Sequence, residues 1–165
     1  MPVVSDASPL ILLAKIGRLN LLREIYSEIL IPPQVEREIV RRKNESSLIT
    51  LAVKDGWIKV EEVEISSEVK MVEEGLGLHK GEKYALSLAL HTNTADFLAD
   101  DKLARIAARI LGLKAIGCLG IVRRAYEIGI ITKNEAVESI QKLVKAGLWI
   151  SPEVLGEVLT SLEVS

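Results

Sequence analysis

A layered α/β domain with a mostly parallel sheet is what this sequence predicts, and three observations carry the prediction. Short apolar, β-branched runs recur along the chain as "PVVS", "EILI", "DFLA" and "LKAIG". Stretches of helical periodicity with start and stop residues lie between them, and such alternation is the mark of parallel strands joined by crossovers. The 165 residues suit one domain with its own core, and no Pro/Gly-rich linker divides them. A single domain over residues 1–165 is expected, with 133–165 as C-terminal helices packed on it.

Taken in order, "PVVSD" reads as a short buried strand. Ser8-Pro9 then starts a helix, Ser as N-cap and Pro at the first helical position, with Gly17 as its stop. "GRLNLLREIY" gives a second short helix. "EILIPP" is a strand closed by prolines, and Pro33 opens the helix "PQVEREIVRR". "SSLITLAVKDG" is a helix ended at Asp55-Gly56, and "WIKVEEVEI" alternates as a strand with one solvated side. A helix near 66–74 leads into the Gly-rich "EGLGLHKGE" and the helix "GEKYALSLALH". "TADFLA" is a strand, "DDKLARIAARILG" a helix and "LKAIG" a strand. "LGIVRRAYEIG", "KNEAVESIQKLVKAG" and "SPEVLGEVLTSL" are helical, the last with Ser151 as N-cap.

Composition narrows the function. Apolar residues make up 48% and charged residues 27%, which points to a soluble globular class. A net charge of −2 supplies no overall basic field, so a polyanion would need a local cationic patch or metal ions. One cysteine, Cys118, forms no internal disulfide, and a cytoplasmic location is expected. No apolar run approaches the ~18 residues of a membrane span. Aromatics at 4% leave few platforms for stacked bases.

Ligands of open parallel sheets bind beyond the C-terminal strand ends, where Asp6 and the pair Asp100-Asp101 fall. Helix capping is the ordinary role of an Asp there. At Asp6 that role is weakened because Ser8 is better placed to cap, and at Asp100-Asp101 one acid can cap while the other is left over. Glu82 shares a helix face with Ala85, Leu86 and Ala89, all within about 60° of it on a helical wheel. An inward carboxylate in a first helical turn needs a partner, either a metal ion or a core Arg or Lys. In "PQVEREIVRR" the apolar stripe of Val35, Ile39 and Val40 centres near about 60°, closer to Glu36 at about 100° than to Glu38 at about −60°. His79 and His91 show no ligand or triad spacing and read as surface or capping residues. Cys118 reads as a small buried hydrophobe.

The ordered motifs Asp6-x-Ser8, "IPPQVEREI", "HKGEKYALSLAL", "FLADDKLARIAARILGL" and "AIGCLGIV" together resemble a PIN domain. More narrowly, the chain is similar to the compact, VapC-like toxin ribonucleases of prokaryotic toxin–antitoxin loci, over nearly its whole length. The resemblance implies a three-layer α/β/α fold with a central, mostly parallel sheet. It implies Asp6, Glu38, Glu82, Asp100 and Asp101 as catalytic acids, with Asp6, Glu82, Asp100 and Asp101 on the metal and Ser8 in support. The implied cofactor is Mg²⁺, with Mn²⁺ as substitute. The implied partners are RNA, a small antitoxin protein and a second copy of the chain. Glu38 here overrides the preference of the wheel for Glu36. Ala99 stands where many relatives have Thr or Ser, which leaves open which of Asp100 and Asp101 meets metal. Cys118 replaces the Thr of a Gly-Thr-Leu-Gly turn.

Clustered acids repel one another unless a divalent cation compensates them, and Mg²⁺ needs few direct carboxylates. Metal-activated water would hydrolyse the phosphodiester with no His base, and the resemblance implies 5′-phosphate and 3′-hydroxyl products. An acidic site that meets RNA needs flanking cations. Lys102 and Arg105, on one helix face with Arg109, are the first candidates, and Arg41, Arg42 and Lys43 follow Glu38. Two rivals stand beside the ribonuclease. A receiver-like regulatory domain would want an acid pair after strand one, where this chain has a single acid. A PIN fold kept as a silent nucleic-acid or protein binding module would hold the acids without turnover.

Overall fold

Five strands of three residues each form in a computed structural model that describes residues 2–164: β1 (Val3–Ser5), β2 (Ile29–Ile31), β3 (Ile58–Val60), β4 (Asp96–Leu98) and β5 (Lys114–Ile116). All four pairings are parallel, in the order β3-β2-β1-β4-β5. The helices are α1 (Ala7–Lys15), α2 (Asn20–Tyr26), α3 (Pro33–Val40), α4 (Ser46–Asp55), α5 (Ser67–Leu76), α6 (Lys80–His91), α7 (Lys102–Ile110), α8 (Cys118–Glu127), α9 (Lys133–Lys145) and α10 (Pro152–Val164). They cover both sheet faces, giving a three-layer α/β/α fold. The central strands β1 and β2 are accordingly buried throughout and apolar except for Ser5, and Phe97 of β4 is fully buried. No helix among the described residues is long and apolar enough to cross a membrane.

The strand order places the site. The chain builds outward from β1 to β2 and β3, then returns to the other side of β1 to lay down β4 and β5. The topological switch point therefore lies between β1 and β4, where connections leave in opposite directions and open a crevice. Asp6 directly follows β1, and Ala99-Asp100-Asp101 follows β4. The Asp6 N–H donates to Leu98 O at 2.8 Å, tying the two strand ends together.

Two elements differ from expectation. α1 begins at Ala7, so Asp6 is the N-cap residue and Ser8-Pro9 lies inside the first turn. Proline is tolerated there because first-turn N–H groups have no helical acceptor. The strand expected over "WIKVEEVEI" is confined to Ile58–Val60. Its neighbour β2 ends at Ile31, because Pro32 has no N–H to continue a ladder and Pro33 opens α3. After Glu61 N–H donates to Ile31 O, residues 62–66 have no strand to pair with. Helix ends elsewhere follow the sequence: Gly56 closes α4 at φ +88°, and Ser151 Oγ accepts from Val154 N–H at α10. α9 packs on α8, and α10 packs on both.

Candidate active site

Asp6 projects from the switch point and is 3% exposed. It occupies the N-cap position of α1 but makes no side-chain cap bond to the helix, and its Oδ1 is buried with no hydrogen-bond partner. Burial is the main cause that pushes its pKa up to about 7; the Ala7 N–H opposes the rise, and the Glu82 and Glu38 carboxylates add to it. No lysine or arginine pairs with Asp6 among the described residues. A half-protonated acid among acids is a site short of positive charge.

Glu82 lies on the inward face of α6, as the wheel requires, and is 2% exposed beside buried Ala85, Leu86 and Ala89. Its Oε1 accepts from the His79 N–H at 3.1 Å and lies 3.4 Å from His79 Nε2. Its Oε2 is buried and unpartnered. Burial raises its pKa, His79 lowers it, and the nearby Asp101 carboxylate raises it again. The core Arg or Lys that would have made Glu82 purely structural is not found among the described residues.

Glu38, rather than Glu36, is the α3 acid that feels Asp6. Its Oε2 lies where a Cβ on Gly81 would come within 2.8 Å, so the missing side chain of Gly81 makes room for that carboxylate. The wheel erred because Val40 is 57% exposed and does not belong to the stripe. Without it the stripe centres near about 20°, equally far from Glu36 and Glu38.

The acid pair after β4 divides. Asp101 caps α7, its Oδ2 accepting from Leu103 N–H at 3.0 Å and Ala104 N–H at 3.1 Å, on the side near Glu82. Asp100 turns to α8: Oδ1 accepts from Cys118 N–H at 2.8 Å, and Oδ2 lies 3.0 Å from Cys118 Sγ. Burial raises the Asp100 pKa, while the two Cys118 contacts and Arg105 lower it. Cys118 is fully buried, as expected, but its thiol is a donor to a carboxylate and not only a space filler. Burial, then the Asp100 charge, pushes the thiol pKa well up, so the S–H stays on. Ser8 makes no side-chain hydrogen bond among the described residues. Arg105 donates from Nη1 to Ala99 O at 3.1 Å beside Asp100, and Lys102 is exposed.

A divalent ion can be tested against this arrangement. Among the described residues no three His, Cys, Asp or Glu side chains converge closely enough to hold an ion unaided. Two buried carboxylate oxygens without partners, Asp6 Oδ1 and Glu82 Oε2, nevertheless come from acids with acidic neighbours: Glu82 makes the charge of Asp6 costlier, and Asp101 that of Glu82. Mg²⁺ keeps most of its waters and takes one or two protein carboxylates plus substrate phosphate, so an Asp6–Glu82 seat suits its donor demand. Glu38 and Asp101 stand near it as supporting charge. Asp100 accepts one donor from Cys118 on each oxygen and so keeps one lone pair on each.

Sequence reasoning overlooked Gly81, the Cys118 clamp, and Arg37 and Lys80 as companions of Arg41. Arg37 was detectable, since it stands at i on α3 with Arg41, the C-cap residue, at i+4. A family model described as a PIN domain matches residues 2–164. A search of the curated proteins finds no match to the chain.

Proposed function

The chain belongs to the PIN-domain family, whose members are generally nucleases and usually use divalent metals, and on that premise we propose a metal-dependent endoribonuclease acting as the toxin of a toxin–antitoxin pair. The observation that carries this reading is the pair of buried, unpartnered oxygens, Asp6 Oδ1 and Glu82 Oε2, on acids that form no ion pair with a lysine or arginine among the described residues. A fold that needed these acids only for stability would have paired them.

Mg²⁺ or Mn²⁺ would be held by Asp6 and Glu82, and when bound it supplies an acidified water and a counter-charge for the leaving oxygen. Asp6 must give up its proton to act as a ligand, which its pKa of about 7 allows near neutrality. Glu38 and Asp101 extend the negative field that draws a divalent cation over a monovalent one. The His79 N–H holds Glu82 by Oε1 and leaves Oε2 unpartnered. Cys118 and Arg105 fix Asp100, so that loop 99–101 keeps Asp101 at the head of α7. RNA, a small antitoxin protein and a second copy of the chain are the partners of this reading.

The test is a thermal melt of wild type and Asp6→Asn, each in EDTA and in Mn²⁺, beside cleavage of a single-stranded RNA. The expected result is a Mn²⁺ shift and cleavage in wild type and neither in the variant. A shift of equal size in both proteins removes Asp6 from the metal seat. A wild-type shift without cleavage of any RNA favours the silent binding module.

A further inference from the structure

A cleft of about 350 Å³ opens beside the acids, walled by α3 and the start of α6. Three cations line it, Arg37, Arg41 and Lys80, and Glu38 is its one acid. None of the three cations, all exposed, enters an ion pair among the described residues, although seven lysine or arginine pairs form elsewhere. Like charges gathered in one concavity repel, and a fold indifferent to a ligand would spread or pair them. The Lys80 and Gly81 N–H groups, the first two of the twelve-residue α6, also have no acceptor among the described residues. They add the positive end of a helix to the same cleft.

We infer that this cleft is a phosphate subsite, in which Arg37, Arg41, Lys80 and the α6 N-terminus hold the backbone phosphate next to the linkage at the acids. The inference rests on the nuclease reading for its substrate and names the residues that position it. Two arginines give forked donors that fit phosphate oxygens, and Lys80 gives a point charge. Glu38 joins the cleft to the acid cluster, because it lines the one and raises the Asp6 pKa in the other. A phosphate seated there is therefore one residue away from the proposed metal seat. On the far side, Arg37 also borders a cleft that carries Glu62, Glu64 and Glu68. Those three carboxylates repel a polyanion, whereas a metal ion held by Asp6 and Glu82 would attract it, so the strand leaves the subsite toward Asp6 and not along residues 62–68. A nucleic-acid strand, and not free phosphate, is the occupant this arrangement selects, since only a strand presents a second phosphate to a metal ion held by the acids.

The test uses a hexaribonucleotide without terminal phosphates, bound to the full chain in Ca²⁺ to fill the metal seat, with the strand checked to be intact after each titration. Arg41→Ala and Arg37→Ala should each weaken binding by about tenfold, the value of one charge-assisted hydrogen bond. The double variant should lower the salt slope by about 0.7, one single-strand phosphate contact. Melting temperatures of these variants should hold or rise, because no ion pair is lost. Unchanged affinity and slope in both variants overturn the subsite. Displacement of the strand by inorganic phosphate at concentrations near the strand's own Kd overturns a strand as the occupant. Cleavage by wild type in Mn²⁺ is measured separately: with cleavage present and binding unmoved, the subsite fails while the nuclease stands. With cleavage absent and binding lost in the variants, the nuclease fails while the subsite stands.

Discussion

Two carboxylate groupings at the mouth of the sheet receive opposite treatment. On the α3–α6 side, Asp6 and Glu82 are almost fully buried and each keeps an oxygen without a partner. On the α7–α8 side, Asp100 is given the backbone N–H and thiol of Cys118 and has Arg105 alongside. Burial alone raises the pKa on both sides, so desolvation does not distinguish them. What distinguishes them is satisfaction. A satisfied carboxylate holds loops together, whereas an unsatisfied one stores a charge deficit that a ligand can relieve.

The largest test of that contrast neutralises its unsatisfied half. Asp6→Asn should abolish RNA cleavage and the Mn²⁺-induced rise in melting temperature, while the apo protein holds or gains stability. Loss of apo stability in Asp6→Asn would mean the carboxylate is structural after all. The acid also gives a pH signature. Its folded pKa of about 7 lies above the 3.8 of the unfolded chain, so the folded state binds the extra proton between those values. Apo stability should therefore fall as pH rises from about 4 to about 7, by up to about 4 kcal/mol from this group. Metal-induced stabilisation should run the other way and weaken as pH drops below about 7, because the ligand must be deprotonated. Chemical denaturation across that pH range, with EDTA and with Mn²⁺, reads both slopes, and their absence in Asp6→Asn assigns them.

Gly81→Ala probes the same half more gently. The added Cβ meets only the tip of the Glu38 side chain, at 2.8 Å, and that tip can move. The fold should be kept, with up to about 1 kcal/mol gained from lost backbone freedom in the unfolded chain. Metal-induced stabilisation and cleavage should both decline as Glu38 is displaced. Unchanged metal response would place Glu38 outside the site.

In the satisfied half, Cys118→Val removes the thiol donor and leaves Asp100 Oδ2 unpaired. A cost of about 1–3 kcal/mol is expected in EDTA, with Cys118→Ser restoring most of it and the Mn²⁺ shift largely retained in both. A lost Mn²⁺ shift in Cys118→Val alone would bring Asp100 into the metal seat. The smallest effect belongs to Lys102→Ala, an exposed side chain. Stability should stay within about 0.5 kcal/mol, and the salt slope of RNA binding should drop by less than one unit.

The sequence made much of this legible. Glu82 was readable because one inward acid among Ala85, Leu86 and Ala89 breaks the amphipathic pattern, and Asp6 because it ends a strand. Glu36 and Glu38 were not separable, since the exposure of Val40 depends on what packs against α3 and not on helical spacing. The division of Asp100 from Asp101 depended on Cys118, a residue 18 positions away whose thiol reads from sequence as mere apolar volume.

Local chemistry by itself determined most strand ends and helix starts, because prolines, caps and apolar periodicity act over a few residues; the start of α1 and the end of β3 were the exceptions. It therefore determined that acids stand at strand ends and at the start of α6. Only the tertiary structure decided which of those acids meet, for that follows from the strand order around β1. It also decided which carboxylate oxygens find donors and which do not. Hydrogen-bond satisfaction is a property of neighbours brought together from distant parts of the chain, and no window of sequence contains them.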